Sequence, residues 1–188
     1  MKLSLRNLLL LGVSIEIIIL LVSYLLHPEI EETFRYAARY SGRLSALVFL
    51  YTFYQYAVSF PAPIKDNLEL RNFIRLFALL HVIHWGFLAT NVYLNSVPLE
   101  TVKVIGGALA YLMIVVAPFK LHQLNTPFQL TYFYYVGLVM ILTYVARIKG
   151  DFEGAEPYWL HYLAISTLMV CCLVFGFWMR KSMKQNPL

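Results

Sequence analysis

Six times between Asn7 and Met179 the chain passes through a stretch of 17 to 23 mostly apolar residues. At 1.5 Å per helical residue, each is long enough to cross about 30 Å of hydrocarbon. The runs cover residues 7–26, 44–60, 72–94, 104–121, 127–148 and 158–179, and turn chemistry separates them: His27-Pro28, Pro61-Ala62-Pro63, Asn95 to Pro98, Asn125-Thr126-Pro127, and Lys149-Gly150 on to Pro157. Connections this short set neighbouring runs antiparallel, so residues 1–188 are expected to form one compact bundle. In lipid only helices and closed barrels satisfy their own backbone, and these runs are too long and too uniformly apolar for barrel strands. The expected fold is therefore an all-α integral membrane protein, a six-transmembrane-helix bundle. Composition agrees: 60% of residues are hydrophobic, 13% are charged and the mean hydropathy is +0.66, whereas a water-soluble domain keeps about a quarter of its residues charged. The first run exceeds a signal-peptide core and no small-residue cleavage site follows, so it is expected to be retained. Cys171 and Cys172 are adjacent in an apolar run, which excludes a disulfide staple and a cysteine metal site.

Orientation follows from Lys and Arg counted on alternate sides. One side carries Lys2, Arg6, Lys65, Arg71, Arg75, Lys120, Arg180, Lys181 and Lys184; the other carries Arg35, Arg39, Arg43, Lys103, Arg147 and Lys149. Nine against six places both termini in the cytoplasm, in what reads as a bacterial inner membrane. Seven of the ten acids, including Glu100, Asp151, Glu153 and Glu156, fall on the opposite side. The net charge of +5 thus expresses membrane orientation, and no basic-aromatic surface suited to nucleic acid is present. In the first outer connection Glu31, Arg35, Arg39 and Arg43 recur every four residues, which predicts a short interfacial helix over 31–43, anchored by Tyr36 and Tyr40. Its basic stripe is suited to lipid phosphate or a propionate.

An ionisable side chain in mid-membrane costs about 2.5 to 3.5 kcal/mol on insertion scales, so each needs a partner or a purpose. Glu16, His81 and His84 are such residues. Glu16 and His81 each lie about nine residues into their runs, about 14 Å deep; a Glu16–His81 hydrogen bond between helices is the plain structural account. His84 lies one turn further along the same face, with Trp85, Asn91 and Tyr93 continuing the polar edge. Two imidazoles three residues apart share a helical face but do not complete a metal site. Bis-imidazole heme ligation needs a second nitrogen from another helix at similar depth. By residue count His161 stands about 10 Å too far out to oppose His84, and His122 lies at the cytoplasmic boundary.

Three pieces of sequence have a familiar order. Ser41-Gly42-Arg43-Leu44 opens the second run, Arg71 opens the third with His84 thirteen residues on, and Ile105-Gly106-Gly107-Ala108-Leu109 opens the fourth. Together, over roughly residues 40–148, they resemble the ferric-reductase-like transmembrane family, which includes the heme-binding membrane subunit of the bacterial methionine sulfoxide reductase system. The resemblance implies a b-type heme with His84 as iron ligand, His81 beside it, and electron transfer through heme or quinone. The family's opposing ligand is a histidine opening the fifth helix, with another about a dozen residues later; here those places hold Thr131 and Tyr144, and the fifth run contains no histidine.

Two functions follow as expectations. One is an electron-transferring membrane subunit holding heme at His84 or His81 and fed by a partner, since no dinucleotide fingerprint is present. The other is a non-catalytic subunit, heme lost, that docks or stabilises other membrane proteins. Gly106 and Ala110 offer it a small-residue surface for helix packing, and Tyr51, Phe53, Tyr54, Tyr56 and Tyr132 to Tyr135 offer rings for packing or for a quinone cleft. A proton path through Glu16, His81 and His84 has just one buried acid. Serine-hydrolase and phosphate-loop motifs are absent.

Overall fold

The structure is a computed structural model that describes residues 4–98, 101–150 and 158–185. Six long helices follow in order: α1 (Leu5–Leu26), α2 (Ile30–Ser59), α3 (Leu68–Leu94), α4 (Thr101–Lys120), α5 (Thr126–Ile148) and α6 (Trp159–Gln185), with single 3₁₀ turns at Ile64–Asp66 and Leu121–Gln123. No strand occurs among the described residues. Polar caps start the helices where the apolar runs begin. The Ser4 hydroxyl accepts from Asn7 N, Asn67 Oδ1 accepts from Leu70 N, and Asn125 Oδ1 accepts from Phe128 N, each meeting one of the orphan donors of a first turn. The Asn67 cap starts α3 four residues ahead of the expected Asn72.

Among the described residues, five helices are long and apolar enough to cross a membrane: α1, α3, α4, α5 and α6. The exception, α2, packs on α1, α3 and α6. Its polarity and its position are connected, because a helix surrounded by protein can carry hydroxyls and charges that a lipid-facing helix cannot. Its ridge of every fourth residue is buried throughout: Thr33, Ala37, Ser41, Ser45, Phe49, Phe53 and Ala57.

The segment 31–43 is not a separate interfacial helix. It runs without a break into the second apolar run as one helix of 30 residues, about 45 Å long and so longer than the hydrocarbon is thick. The lone Gly42 between Tyr40 and Leu44 weakens a helix without ending it, and Arg35 and Arg43 reach Asn95 and Tyr158 from other parts of the chain. Arg35 pairs with Glu32 and donates to Asn95 Oδ1 at 2.6 Å, tying the start of α2 to the end of α3. This end of the bundle is called upper here; the end with the Phe60–Asn67 connection is lower.

The lower half is an aromatic core. Phe133 of α5 stacks between Phe53 and Tyr56 of α2, at centroid distances of 5.2 and 4.5 Å, and Phe175 of α6 meets Phe53 edge-on at 5.0 Å. A second cluster of Leu8, Leu76 and Leu80 joins α1 to α3. Where α5 meets α6, the Tyr134 hydroxyl donates to Cys172 O at 3.0 Å beside Gly176, where a Cβ would come within 2.6 Å of that hydroxyl. Both cysteines are half-buried free thiols. The expected positions Lys2, Glu100, Asp151, Glu153 and Glu156 lie outside the described residues.

Candidate functional site

Above the aromatic core, the ridge of α2 changes from phenylalanine to serine, and two interhelical hydrogen bonds form on successive turns. Ser41 Oγ donates to Glu16 Oε1 of α1 at 2.9 Å, and Ser45 Oγ shares a 2.7 Å hydrogen bond with His81 Nδ1 of α3. Glu16 is 2% exposed, and both serines are fully buried. The expected Glu16–His81 bond is replaced by these two, because α2 carries a hydroxyl to each partner. A seryl hydroxyl both donates and accepts, so it can match a carboxyl on one side and an imidazole on the other. Burying a polar group without such a partner costs several kcal/mol in hydrocarbon.

Two further contacts define the imidazoles. The Tyr111 ring of α4 lies over His81 at 4.6 Å. His84, 9% exposed, presses its ring onto the α2 backbone at Gly42, where an added Cβ would stand 2.9 Å from His84 Cε1 and 3.4 Å from both ring nitrogens. Only glycine leaves that space. The two histidine rings are 5.5 Å apart. Arg147 near the end of α5 is the charged neighbour of His84. Glu16 Oε2 and His84 Nδ1 are buried without a hydrogen bond of good geometry among the described residues, and the Ala38 backbone is the polar group that faces the His84 ring.

Other expected positions fall outside this seam. Trp85 is 55% exposed and Tyr93 also faces outward, while the Asn91 side chain accepts from Asn95 Nδ2 at the helix end, so the polar edge of α3 does not extend inward beyond His84. Gln55 bonds Tyr51 on its own helix, and Tyr51 reaches Glu69 of α3. Phe53, Tyr56, Tyr132 and Phe133 are buried against one another, whereas Tyr51 and Tyr54 are exposed; the aromatic set packs more than it lines a cleft. The Tyr56 and Tyr132 hydroxyls lack a partner among the described residues. Ala110 is buried and the Gly106 carbonyl accepts from Tyr135 OH at 3.1 Å, whereas a Cβ added at Gly106 would meet nothing within 4 Å, so of the pair only Ala110 is packed within the bundle. An open cleft of about 450 Å³ at the lower end is lined by Phe60, Lys65, His122 and Gln129 among others, far from His81 and His84.

Opposed imidazoles for heme are not assembled by these residues. His81 and His84 project from one helix three residues apart, and two ligands on one face cannot approach an iron from opposite sides of a porphyrin. The remaining imidazoles have other neighbours. His27 stacks on Tyr36 at 3.7 Å, His161 packs between Tyr144 and Tyr158, and His122 lies beside Gln123. Thr131, at the place where the family carries its opposing ligand, is exposed and bonds the Pro127 carbonyl. No group of three or more His, Cys, Asp or Glu converges among the described residues.

Ser45 is the site residue that sequence reasoning passed over, and Ser41 and Gly42 entered it only within the motif Ser41-Gly42-Arg43-Leu44, with no partner assigned. Their signal is depth: counted from the upper ends of their helices, Ser41 is level with Glu16 and Ser45 with His81. Searches of protein-family models, of curated proteins and of solved structures give no match to this chain.

Proposed function

We propose that the chain is a six-span subunit of a bacterial inner membrane, with α2 as the sixth span and both termini cytoplasmic, that docks or stabilises a larger membrane complex and carries no heme. The Lys and Arg distribution supports the orientation, and the length and central position of α2 support the sixth span. One observation carries the heme-free reading: the intramembrane imidazoles are committed to α2, His81 to the Ser45 hydroxyl and His84 to the Gly42 backbone. The residues that would feed a redox cofactor instead close interhelical packing, so the scaffold keeps the ferric-reductase-like order of motifs and puts it to structural use. The test is isolation of the tagged full chain from its native membrane in mild detergent. Other membrane proteins should accompany it in fixed ratio, and a chain that always migrates alone contradicts the reading.

A second reading is electron transfer through heme at His84. It is favoured by the buried His84 Nδ1 without a hydrogen bond of good geometry and by the resemblance over residues 40–148. Heme would supply one-electron chemistry there, and His84 would be its one protein ligand among the described residues. The pigment spectrum separates the two readings.

A further inference from the structure

The lower end of the bundle, where α2 and α4 stop and α3 and α5 begin, carries two adjoining clefts of opposite character. Ala62 and Pro63, in the connection after α2, border both. The cleft of about 450 Å³ is lined by Lys65 and His122 with the amides of Gln123, Asn125 and Gln129, and no carboxylate lines it among the described residues. Its neighbour, of about 460 Å³, is lined by Asp66 and Glu69 with Ser59 and Asn67, and no cationic side chain lines it among the described residues. Lys65 and Asp66 are consecutive residues of one 3₁₀ turn, so the sign of charge changes within that turn. The walls are fixed by packing and hydrogen bonds. Buried Ile64 and Leu121 anchor the two 3₁₀ turns, which pack on each other. The buried Gln129 amide donates to Leu121 O at 3.4 Å and Leu124 O at 2.8 Å, and Asn67 Nδ2 donates to Ser59 Oγ at 2.8 Å, closing the connection on itself.

Fixed charges of both signs around one rim are complementary to a ligand that carries both. A simple anion beside Lys65 would stand within Coulomb reach of Asp66 and Glu69, and a simple cation beside those acids within reach of Lys65. A phosphoethanolamine group avoids both conflicts. Its phosphate oxygens accept from an ammonium, an imidazole N–H and side-chain amides, and its primary ammonium, a short ethyl linker away, donates three N–H groups to carboxylates. The rim also stands at the ends of three membrane-length helices, α3, α4 and α5. Leu68, Phe119, Leu124 and Phe128 at those ends are exposed apolar side chains, a surface suited to acyl chains, which makes the ligand a lipid and not a soluble zwitterion. We propose that the two clefts together hold the headgroup of one phosphatidylethanolamine, its phosphate towards Lys65 and His122 and its ammonium towards Asp66 and Glu69. The proposal rests on the membrane reading of the helices and not on whether heme is bound.

The test is native mass spectrometry of the purified full chain titrated with phosphatidylethanolamine, phosphatidylcholine, phosphatidylglycerol or soluble phosphoethanolamine. One phosphatidylethanolamine should be retained per chain in preference to phosphatidylcholine, whose methylated ammonium has no N–H to donate, and to phosphatidylglycerol, which has no ammonium. Lys65→Gln should weaken retention about tenfold, the loss of one charge-assisted contact. Asp66→Asn/Glu69→Gln should remove the preference over phosphatidylcholine, and Lys181→Gln, an exposed cation of α6 outside the clefts, should change nothing. Lys65 and Asp66 are exposed, so their substitution leaves the core intact; if a variant still fails to fold, the order of the three lipids on the parent chain decides alone. Equal retention of phosphatidylethanolamine and phosphatidylcholine, tighter retention of phosphatidylglycerol, a preference that survives in Asp66→Asn/Glu69→Gln, or full displacement by millimolar phosphoethanolamine would each overturn the assignment.

Discussion

The lower and upper halves of this bundle are packed by different chemistry along one ridge of one helix. Below Ser45 the ridge of α2 reads Phe49, Phe53, Ala57 and meets Phe77, Phe133 and Phe175. Above, it reads Ser45, Ser41, Ala37, Thr33 and meets a carboxyl and two imidazoles through small residues and hydroxyls. In lipid the hydrophobic effect gives helices little reason to associate, so what remains is close packing and interhelical hydrogen bonding. The aromatic half uses the first; the upper half uses the second, with Gly42 permitting the approach. Large rings interlock at many contacts and tolerate no gap, whereas a single hydroxyl–imidazole bond in a membrane interior contributes modestly. The difference predicts that stability resides below and specificity above.

Truncation is the most severe way to break that contrast. Phe133→Ala removes a ring stacked on two others and should cost about 3 to 5 kcal/mol, read as detergent-phase unfolding; a cost below that of the upper-half variants would reverse the comparison. Gly42→Ala drives a methyl into His84 and should cost about 1 to 3 kcal/mol. That cost should largely vanish in a His84→Ala background, so the double-mutant cycle reports the contact itself. Ser45→Ala should cost about 0.6 kcal/mol and at most about 1.7, the range for interhelical hydrogen bonds in membranes. The smallest effect is expected from Glu16→Gln, whose amide oxygen still accepts from Ser41: a change within about 0.5 kcal/mol. If Glu16→Gln instead abolishes proton movement in a reconstituted-vesicle assay, the upper half is a proton path and not a packing device.

Much of the fold was legible because membrane-length apolar runs and their Asn and Pro boundaries are local signals. All six expected runs coincide with helices. The extension of α2 upward to Ile30 was not legible, since Glu31, Arg35, Arg39 and Arg43 at four-residue spacing describe a surface stripe equally well; Asn95 and Tyr158, which receive two of those arginines, are distant in sequence. At the site, Glu16, His81 and His84 stood out because ionisable groups are costly in hydrocarbon. Their partners did not. Serines are common and cheap to place, and only the antiparallel pairing of α1, α2 and α3 brings Ser41 and Ser45 to the depth of Glu16 and His81. Thr131 was compared with a ligand position although its side chain faces out of the bundle, a rotation that residue spacing alone does not reveal.

The most direct measurement is the optical difference spectrum, dithionite-reduced minus oxidised, of the full chain purified from its native membrane. With His81 held by Ser45 and His84 seated on Gly42, the spectrum should show no Soret shift and no sharp alpha band. A reduced alpha band that disappears in His84→Ala would show that the imidazole leaves Gly42 to hold iron, and would contradict the account.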